Sequence, residues 1–232
     1  MRTAAILPVK RFVDAKQRLG ASVADDLRLE LAEAMVTDVL EALEQTAAIE
    51  QTIVVTCEQA ILDVAGELGA IVIADRLEEG QSAAVSLGIE RALGAGIERA
   101  LCVPGDCPAL DPDELETLLG LAGSNERDES AGPAVVIVPD RHGTGTNGLL
   151  LCPPGAIAPS FGADSCERHQ TLARAAGVSW TLEQPSSLLL DIDTGADLAE
   201  LRARLMLAPA RAERTRAVLG RTHAQTPPAA RG

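Results

Sequence analysis

From residue 3 to residue 121, short aliphatic runs of β-forming composition alternate four times with stretches of helical periodicity. Thr3 to Val9, Thr52 to Cys57, Ala70 to Ala74 and Ala100 to Val103 read as strands, and Ala24 to Thr46, Gln59 to Leu68 and Ser82 to Leu93 as the helices between them. In the first helix Leu27, Leu31, Met35, Val39 and Leu43 recur every four residues and so share one face. Asp111, Pro112 and Glu114 announce a fourth helix by supplying an N-cap, an N1 proline and a capping partner. Such a β-α-β-α-β-α-β succession is the signature of a doubly wound parallel sheet. The core agrees: 47% of residues are apolar but only 1% aromatic, so the interior is made of Ala, Val, Leu and Ile. That composition suits parallel strands buried between helices better than an antiparallel sandwich. The expected fold is a three-layer α/β protein with a mostly parallel, Rossmann-like sheet.

After a polar linker, Ser124 to Gly132, the rhythm changes. Val135 to Val138 and Leu149 to Leu151 read as strands around a Gly/Thr-rich loop, and Ser165 to Ala176 as a short helix. Two more strand-like runs follow, Val178 to Leu182 and Leu188 to Ile192, before Thr194 and Asp197 cap a helix reaching about Leu205. This half is expected to extend the same sheet and to form a lid over its carboxyl edge. Residues 1–207 then make one domain, and 208–232, rich in Arg, Ala and Pro, a helical extension fraying into a disordered tail.

The net charge of −14 argues against nucleic acid, whose phosphate backbone needs a basic face. It leaves room for small anions met by a local positive pocket or a divalent metal. Five cysteines without a CxxC pair and three scattered histidines give no zinc pattern, and Cys57 and Cys102, which end apolar strand-like runs, read as small buried thiols. No apolar run approaches the ~20 residues of a membrane span, and the first residues read as a strand, so a cytoplasmic protein is expected. A homodimer is compatible with the sequence, which otherwise leaves oligomeric state open.

In an open parallel sheet ligands bind beyond the carboxyl ends of the strands, so the segments just after each strand carry the chemistry. After the first strand, Lys10, Arg11, Lys16 and Arg18 fall within nine residues of an otherwise acidic chain. They suit a triphosphate and its departing pyrophosphate, the alternative being a solvated basic loop. The loop lacks the glycines of a Walker or G-x-G-x-x-G motif, which counts against P-loop kinases and nicotinamide enzymes. After the fourth strand, Pro104-Gly-Asp-Cys-Pro-Ala-Leu110 exposes Asp106, a hard oxygen ligand suited to Mg²⁺ or else a turn former. In Leu190-Asp-Ile-Asp-Thr194, Asp191 and Asp193 alternate at what reads as a strand end. Paired carboxylates on one face repel unless a cation lies between them. Gly143-Thr-Gly-Thr-Asn-Gly148 and Phe161-Gly-Ala-Asp-Ser165 present backbone N–H groups and a helix N-terminus, a combination that suits a phosphate and a carboxylate.

Taken in order over about residues 3 to 205, P-V-K…A-K-x-R-L, P-G-D-C-P-A-L, G-T-G-T-N, F-G-x-x-S and L-D-I-D-T-x-x-D-L form an ensemble. It resembles the guanylyltransferases of deazaflavin coenzyme F(420) biosynthesis, relatives of the molybdenum-cofactor guanylyltransferases. The resemblance implies a nucleotide-diphospho-sugar transferase-like fold, GTP as donor, and phosphoenolpyruvate or 2-phospho-L-lactate as acceptor. Carried over by motif, Asp106, Asp191 and Asp193 hold Mg²⁺, while Thr146, Gly162 and Ser165 contact the acceptor. Lys10 and Lys16, with Arg18, meet the GTP phosphates. Gly80 and Ser82 lie in Gly80-Gln-Ser-Ala83, where the family usually shows Gly-Leu-Asn near the base.

The implied reaction is attack by an acceptor phosphate oxygen on the α-phosphorus of GTP. A phosphate monoester with a second pKa near ~6 is already largely dianionic at neutral pH, so no general base is needed. The obstacle is repulsion between anions, which metal and Lys/Arg relieve. Rival readings are the same transfer to 3-phospho-D-glycerate, a nucleotidyltransferase of this fold for sugar phosphates or molybdopterin, and a non-catalytic nucleotide-binding module. The sugar-phosphate and molybdopterin enzymes usually carry a Gly-rich loop where this chain has Pro8-Val-Lys10.

Overall fold

The computed structural model describes residues 1–13, 19, 25–121, 134–207 and 211–224. The first half follows the expected alternation: β1 (Thr3–Val9), α1 (Asp25–Glu44), β2 (Gln51–Thr56), α2 (Gln59–Glu67), β3 (Ile71–Ala74), α3 (Gln81–Gly94), β4 (Arg99–Cys102) and α4 (Pro112–Leu121). The second half adds β5 (Ala134–Pro139), β6 (Thr146–Cys152), α5 (Ser165–Ala176), β7 (Ser179–Leu182), α6 (Gly195–Leu207) and α7 (Glu213–Ala224). All seven strands join one sheet in the order β3-β2-β1-β4-β6-β5-β7.

The sheet is mixed. β1 pairs in parallel with β2 and β4, β2 with β3, and β5 with β7, whereas β6 runs antiparallel to both β4 and β5. The reversal has a local cause. Only residues 140–145 separate β5 from β6, too few for the crossover a parallel pair needs, so the two form a hairpin. Because β6 points backwards, its first residue lies at the edge where β1 to β4 end, and so does the 140–145 turn.

Strand alternation divides the core into two layers. Ala5, Leu7, Val54, Leu101 and Val136 pack under α1, α2 and α4, while Ala4, Ile6, Ile53, Ala100 and Val135 pack under α3 and α5. The row of apolar residues expected on one face of α1 is shared between two partners. Val39 and Leu43 face the sheet, but Leu31 and Met35 join Leu198, Leu201, Val218 and Leu219 in a third cluster with α6 and α7.

Two local expectations need correction. Leu188 to Ile192 is not a strand: Leu188, Leu190 and Ile192 are buried, but the backbone bonds to a turn and to a side chain and forms no ladder with a neighbouring strand. Ile192 N–H donates to Asp106 O (3.1 Å), and Leu188 O accepts from the Asn147 side chain (2.8 Å). Glu114 does not complete a capping box. Asp111 caps α4 through the Asp113 N–H (3.0 Å), and Glu114 instead holds the 186–187 turn through Ser186 Oγ (2.7 Å) and Ser187 N–H (2.8 Å). The linker expected at Ser124 to Gly132 and the end of the tail lie outside the described residues.

Beyond Leu207 the chain forms α7 and docks it against α1. Asp38, buried on α1, accepts the N–H groups of Arg214 (3.1 Å) and Thr215 (2.8 Å), capping α7 from 176 and 177 residues away. Burial raises the Asp38 carboxyl above its ordinary range, and the hydrogen bonds from Thr215 and Arg214 pull it part of the way back. Asp38→Ala is expected to lose about 1–2 kcal/mol of unfolding free energy, the usual worth of an N-cap, in urea titrations. An unchanged midpoint would show that α7 is held by its apolar face alone. Among the described residues no helix is long and apolar enough to cross a membrane.

Candidate active site

The carboxyl ends of β1, β2, β3 and β4 frame a cleft of about 470 Å³. Lys10 and Arg11 enter it from β1, Cys57 from β2, Asp75 from β3, Gly80 and Gln81 from the start of α3, and Asp106 and Asp193 from the turns beyond. Lys10 is exposed, and Arg11 reaches across the mouth to Glu78 (2.5 Å). The Phe12 N–H is fixed by Glu58 (2.8 Å). Lys16 and Arg18 lie outside the described residues.

Two glycines bring α3 to this edge. Gly88 lets the helix rest on β1, since a Cβ there would lie 2.5 Å from Ile6 Cγ2. Gly80, the N-cap of α3, has φ +104°, a backbone angle that L side chains rarely adopt. No side chain caps this end, and Gly80 and Gln81 line the cleft, so a helix N-terminus, which favours an anion, opens beside it. Ser82 is the second residue of α3, and its hydroxyl accepts the Phe161 N–H (2.8 Å). It thereby joins the start of α3 to the loop that precedes α5.

The acidic group is assembled from two turns. Gly105 lets the 104–107 turn lie on α1, where a Cβ would sit 2.9 Å from Val36 Cγ2. The Ile192 N–H bond to Asp106 O then ties the 191–193 run alongside it. Asp197 anchors that run from below. Its buried Oδ2 accepts Asp193 N–H (3.1 Å), Thr194 N–H (2.7 Å) and Thr194 Oγ1 (2.8 Å), and Arg141 closes an ion pair with its other oxygen. Hydrogen bonds from Thr194 and Asp193 and the Arg141 charge outweigh burial and hold the Asp197 carboxyl below the ordinary range. The Thr194–Asp197 cap read from the sequence is therefore present.

Asp191 is raised above its ordinary range, first by burial and then by the Asp106 charge. Asp193 adds to the rise, and a hydrogen bond from Asn147 (3.2 Å) opposes it. Asp106 and Asp193 line the cleft, and Asp191 stands beside them. Among the described residues no group of three or more His, Cys, Asp or Glu side chains forms a ready metal cage. Mg²⁺ seldom needs one, because it takes one or two carboxylates and fills its shell with phosphate oxygens and water. The donor set suits an ion shared with a nucleotide.

The remaining predicted residues gather on the β6 side, outside the cleft lining. Thr146 is buried at the start of β6, with its hydroxyl 3.0 Å from His169 Nδ1. Ser165 is buried at the first position of α5, and its N–H donates to Gly162 O (3.2 Å). Gly162 is exposed and has φ +110°. Cys166 N–H donates to Thr144 O (3.0 Å), holding α5 against the 140–145 turn. Two bonds join this side to the cleft: Asn147 to Asp191, and Ser82 to Phe161. No thiol here is poised as a nucleophile. Burial pushes Cys102 up to about 12, and the Cys57 S–H is donated to Asp75 O (2.8 Å).

The structure also shows what was not singled out from sequence. Asn147 lies inside a quoted motif, but its role as a brace depends on a contact 44 residues away. Arg141 and His169 carry no local signal at all.

Comparison with known proteins agrees with this picture. The model of the family "Guanylyl transferase CofC like" matches residues 3–211. A phosphoenolpyruvate guanylyltransferase of Conexibacter woesei is 46% identical over 219 residues, 94% of this chain and 96% of its own. A 3-phospho-D-glycerate guanylyltransferase of Phenylobacterium zucineum is 36% identical over 205 residues, 85% of this chain and 88% of its own. Among solved structures, a Desulfovibrio desulfuricans protein assigned to the nucleotide-diphospho-sugar transferases superposes with TM-score 0.72 at 18% identity, covering 97% of this chain and 96% of its own. A 4-diphosphocytidyl-2C-methyl-D-erythritol synthase gives TM-score 0.60 at 16% identity, covering 88% and 99%. At such identities these two speak to the fold alone, and it is the expected one. The ordered motifs and the likeness along nearly the whole length agree, and the chain belongs to the CofC-like guanylyl transferase family.

Proposed function

We propose that this protein transfers the GMP unit of GTP to phosphoenolpyruvate, releasing pyrophosphate and forming enolpyruvyl-diphospho-guanosine for coenzyme F(420) biosynthesis in the cytoplasm. The observation that carries this reading is the end-to-end likeness to a phosphoenolpyruvate guanylyltransferase. The cleft supplies the chemistry for it. GTP lies across the start of α3, its base side near Gly80 and Ser82 and its triphosphate toward Lys10, with Lys16 and Arg18 following in the same basic stretch of sequence. Asp106, Asp191 and Asp193 would hold Mg²⁺. When bound, that ion neutralises phosphate charge and polarises the α-phosphoryl group.

Thr146, Gly162 and Ser165 hold the acceptor on the β6 side, so that its phosphate faces the α-phosphorus. An oxygen of that phosphate forms the new P–O bond as the α–β bridge breaks. The bond's electron pair leaves on pyrophosphate, whose charge Lys10 and Lys16 offset. The attacking phosphate is already dianionic, so the chain needs no base and forms no covalent intermediate. Its contribution is to hold two anions at reacting distance.

Pyrophosphate release measured across donors and acceptors tests the proposal. GTP with phosphoenolpyruvate is expected to give the highest kcat/KM, ahead of 2-phospho-L-lactate and 3-phospho-D-glycerate. Preference for 3-phospho-D-glycerate would move the protein beside its Phenylobacterium relative. Turnover only with a molybdopterin or sugar phosphate, or GTP binding without turnover on any acceptor, would overturn the reading.

A further inference from the structure

His169 stands between the two parts of the proposed acceptor site, and its hydrogen bonds have only one consistent assignment. The side chain is fully buried on α5. The Ser160 backbone N–H points at its Nε2 (2.9 Å), and an amide N–H can only donate, so Nε2 carries no proton. A neutral imidazole then carries its proton on Nδ1, which faces Thr146 Oγ1 at 3.0 Å. The Thr146 hydroxyl must therefore accept from His169, and its own proton is directed elsewhere. Phe161 closes the ring's open side, edge to face at 5.1 Å and 72°.

The neighbouring residue strengthens the arrangement. Arg168 donates to Ser160 Oγ (3.0 Å) and to the carbonyls of Ser160 (2.9 Å) and Phe161 (3.1 Å), and also reaches Ala163 O. Arg168 and His169 thus seize consecutive polar groups of the loop from α5, while Ser82 takes the Phe161 N–H from α3.

We propose that His169 is a positioning residue that fixes the Thr146 hydroxyl as a hydrogen-bond donor toward the acceptor substrate. It selects a ligand atom with an accepting lone pair, such as a carboxylate or phosphate oxygen, and sets the Ser160–Ala163 loop beside it. The idea rests on the acceptor placement proposed above. It adds that the one proton of the Thr146 hydroxyl is turned toward the substrate by a ring buried behind it.

A double-mutant cycle on the full-length protein tests it. His169→Gln keeps an acceptor for Ser160 but removes the Nδ1 donor. It is expected to raise KM for phosphoenolpyruvate about tenfold, the worth of one charge-assisted hydrogen bond, and to leave KM for GTP unchanged. In a Thr146→Val background the same change is expected to move KM less than about twofold, because the hydroxyl it acts through is gone. Equal factors in both backgrounds, or an equal rise in KM for GTP, would overturn the proposal. His169→Asn, whose amide can reach Thr146, should recover part of the loss.

A second measurement does not depend on the variants folding. Nitrogen NMR of histidine-labelled wild-type protein should report a neutral ring protonated at Nδ1, and protonation at Nε2 would overturn the assignment. Wild-type protein that turned over none of the three acceptors would instead count against the functional reading, leaving the tautomer to decide this one.

Discussion

Replacing Asp106 by Asn is expected to cut turnover about a thousandfold, roughly 4 kcal/mol of transition-state stabilisation, while the protein keeps its fold. The substitution is isosteric, and the bond that holds the 191–193 run is made by the Asp106 backbone carbonyl, not its side chain. What disappears is one negative charge at the lip of the cleft. If that charge helps to hold Mg²⁺ against the triphosphate, the half-saturating Mg²⁺ concentration should rise along with the loss of kcat. Stability should move the other way or not at all. Asp191 is raised by burial and by the Asp106 charge, so removing that charge relieves a repulsion in the folded state. Pyrophosphate release across a Mg²⁺ titration, set beside a thermal melt, reads both. Turnover within tenfold of wild type would place the metal elsewhere.

The second large effect is on stability. Burial, and to a lesser degree the Arg168 charge, holds the His169 imidazole down to about 4. In the unfolded chain the ring titrates near ~6.5. Between those values the unfolded state binds a proton that the fold refuses, so stability is fully present above about 6.5 and is lost as pH falls toward 4. From pH 7 to pH 4.5 this residue alone is expected to remove roughly 2–3 kcal/mol. Below that range protonation would also set the ring against the Ser160 N–H, since both would then be donors. Urea unfolding of wild type and His169→Gln at the two pH values isolates the contribution. The variant should start lower at pH 7 and show a flatter dependence, and parallel slopes would remove His169 as the cause.

The first half of the fold was readable because each of its units carries local signals: an aliphatic strand, a periodic helix, and a cap or glycine at the join. Strand β6 was readable as a strand, but its direction depends on the length of the turn before it, not on its own residues. Leu188 to Ile192 misled for a plain reason. Alternating burial is the same in a strand and in an extended loop pressed against a core, and only the hydrogen-bond partners differ.

The site divides in the same way. Lys10, Gly80 and Asp106 follow strand ends or open a helix and meet at one cleft because parallel strands end at one edge, and the Ile192 bond to Asp106 O brings Asp193 to them. Ser82 was grouped with the nucleotide, yet its hydroxyl is engaged by Phe161, 79 residues away. Arg141 and His169 were invisible because each acts by bracing a residue distant in the chain, and no spacing announces such a contact.

The reversed strand divides labour along the chain as well as in space. Every residue proposed for GTP precedes α4, whereas every residue proposed for the acceptor follows β5, and the two blocks meet where β4 lies against β6. Mutations among the acceptor residues of the later block, as distinct from Asp191 and Asp193, are therefore expected to reshape what is accepted without disturbing what is donated. A family built this way can drift from one phosphorylated acid to another while its handling of the nucleotide stays still. Relatives named for different acids, all able to align with this chain from end to end, are what such a division of the sheet would leave behind.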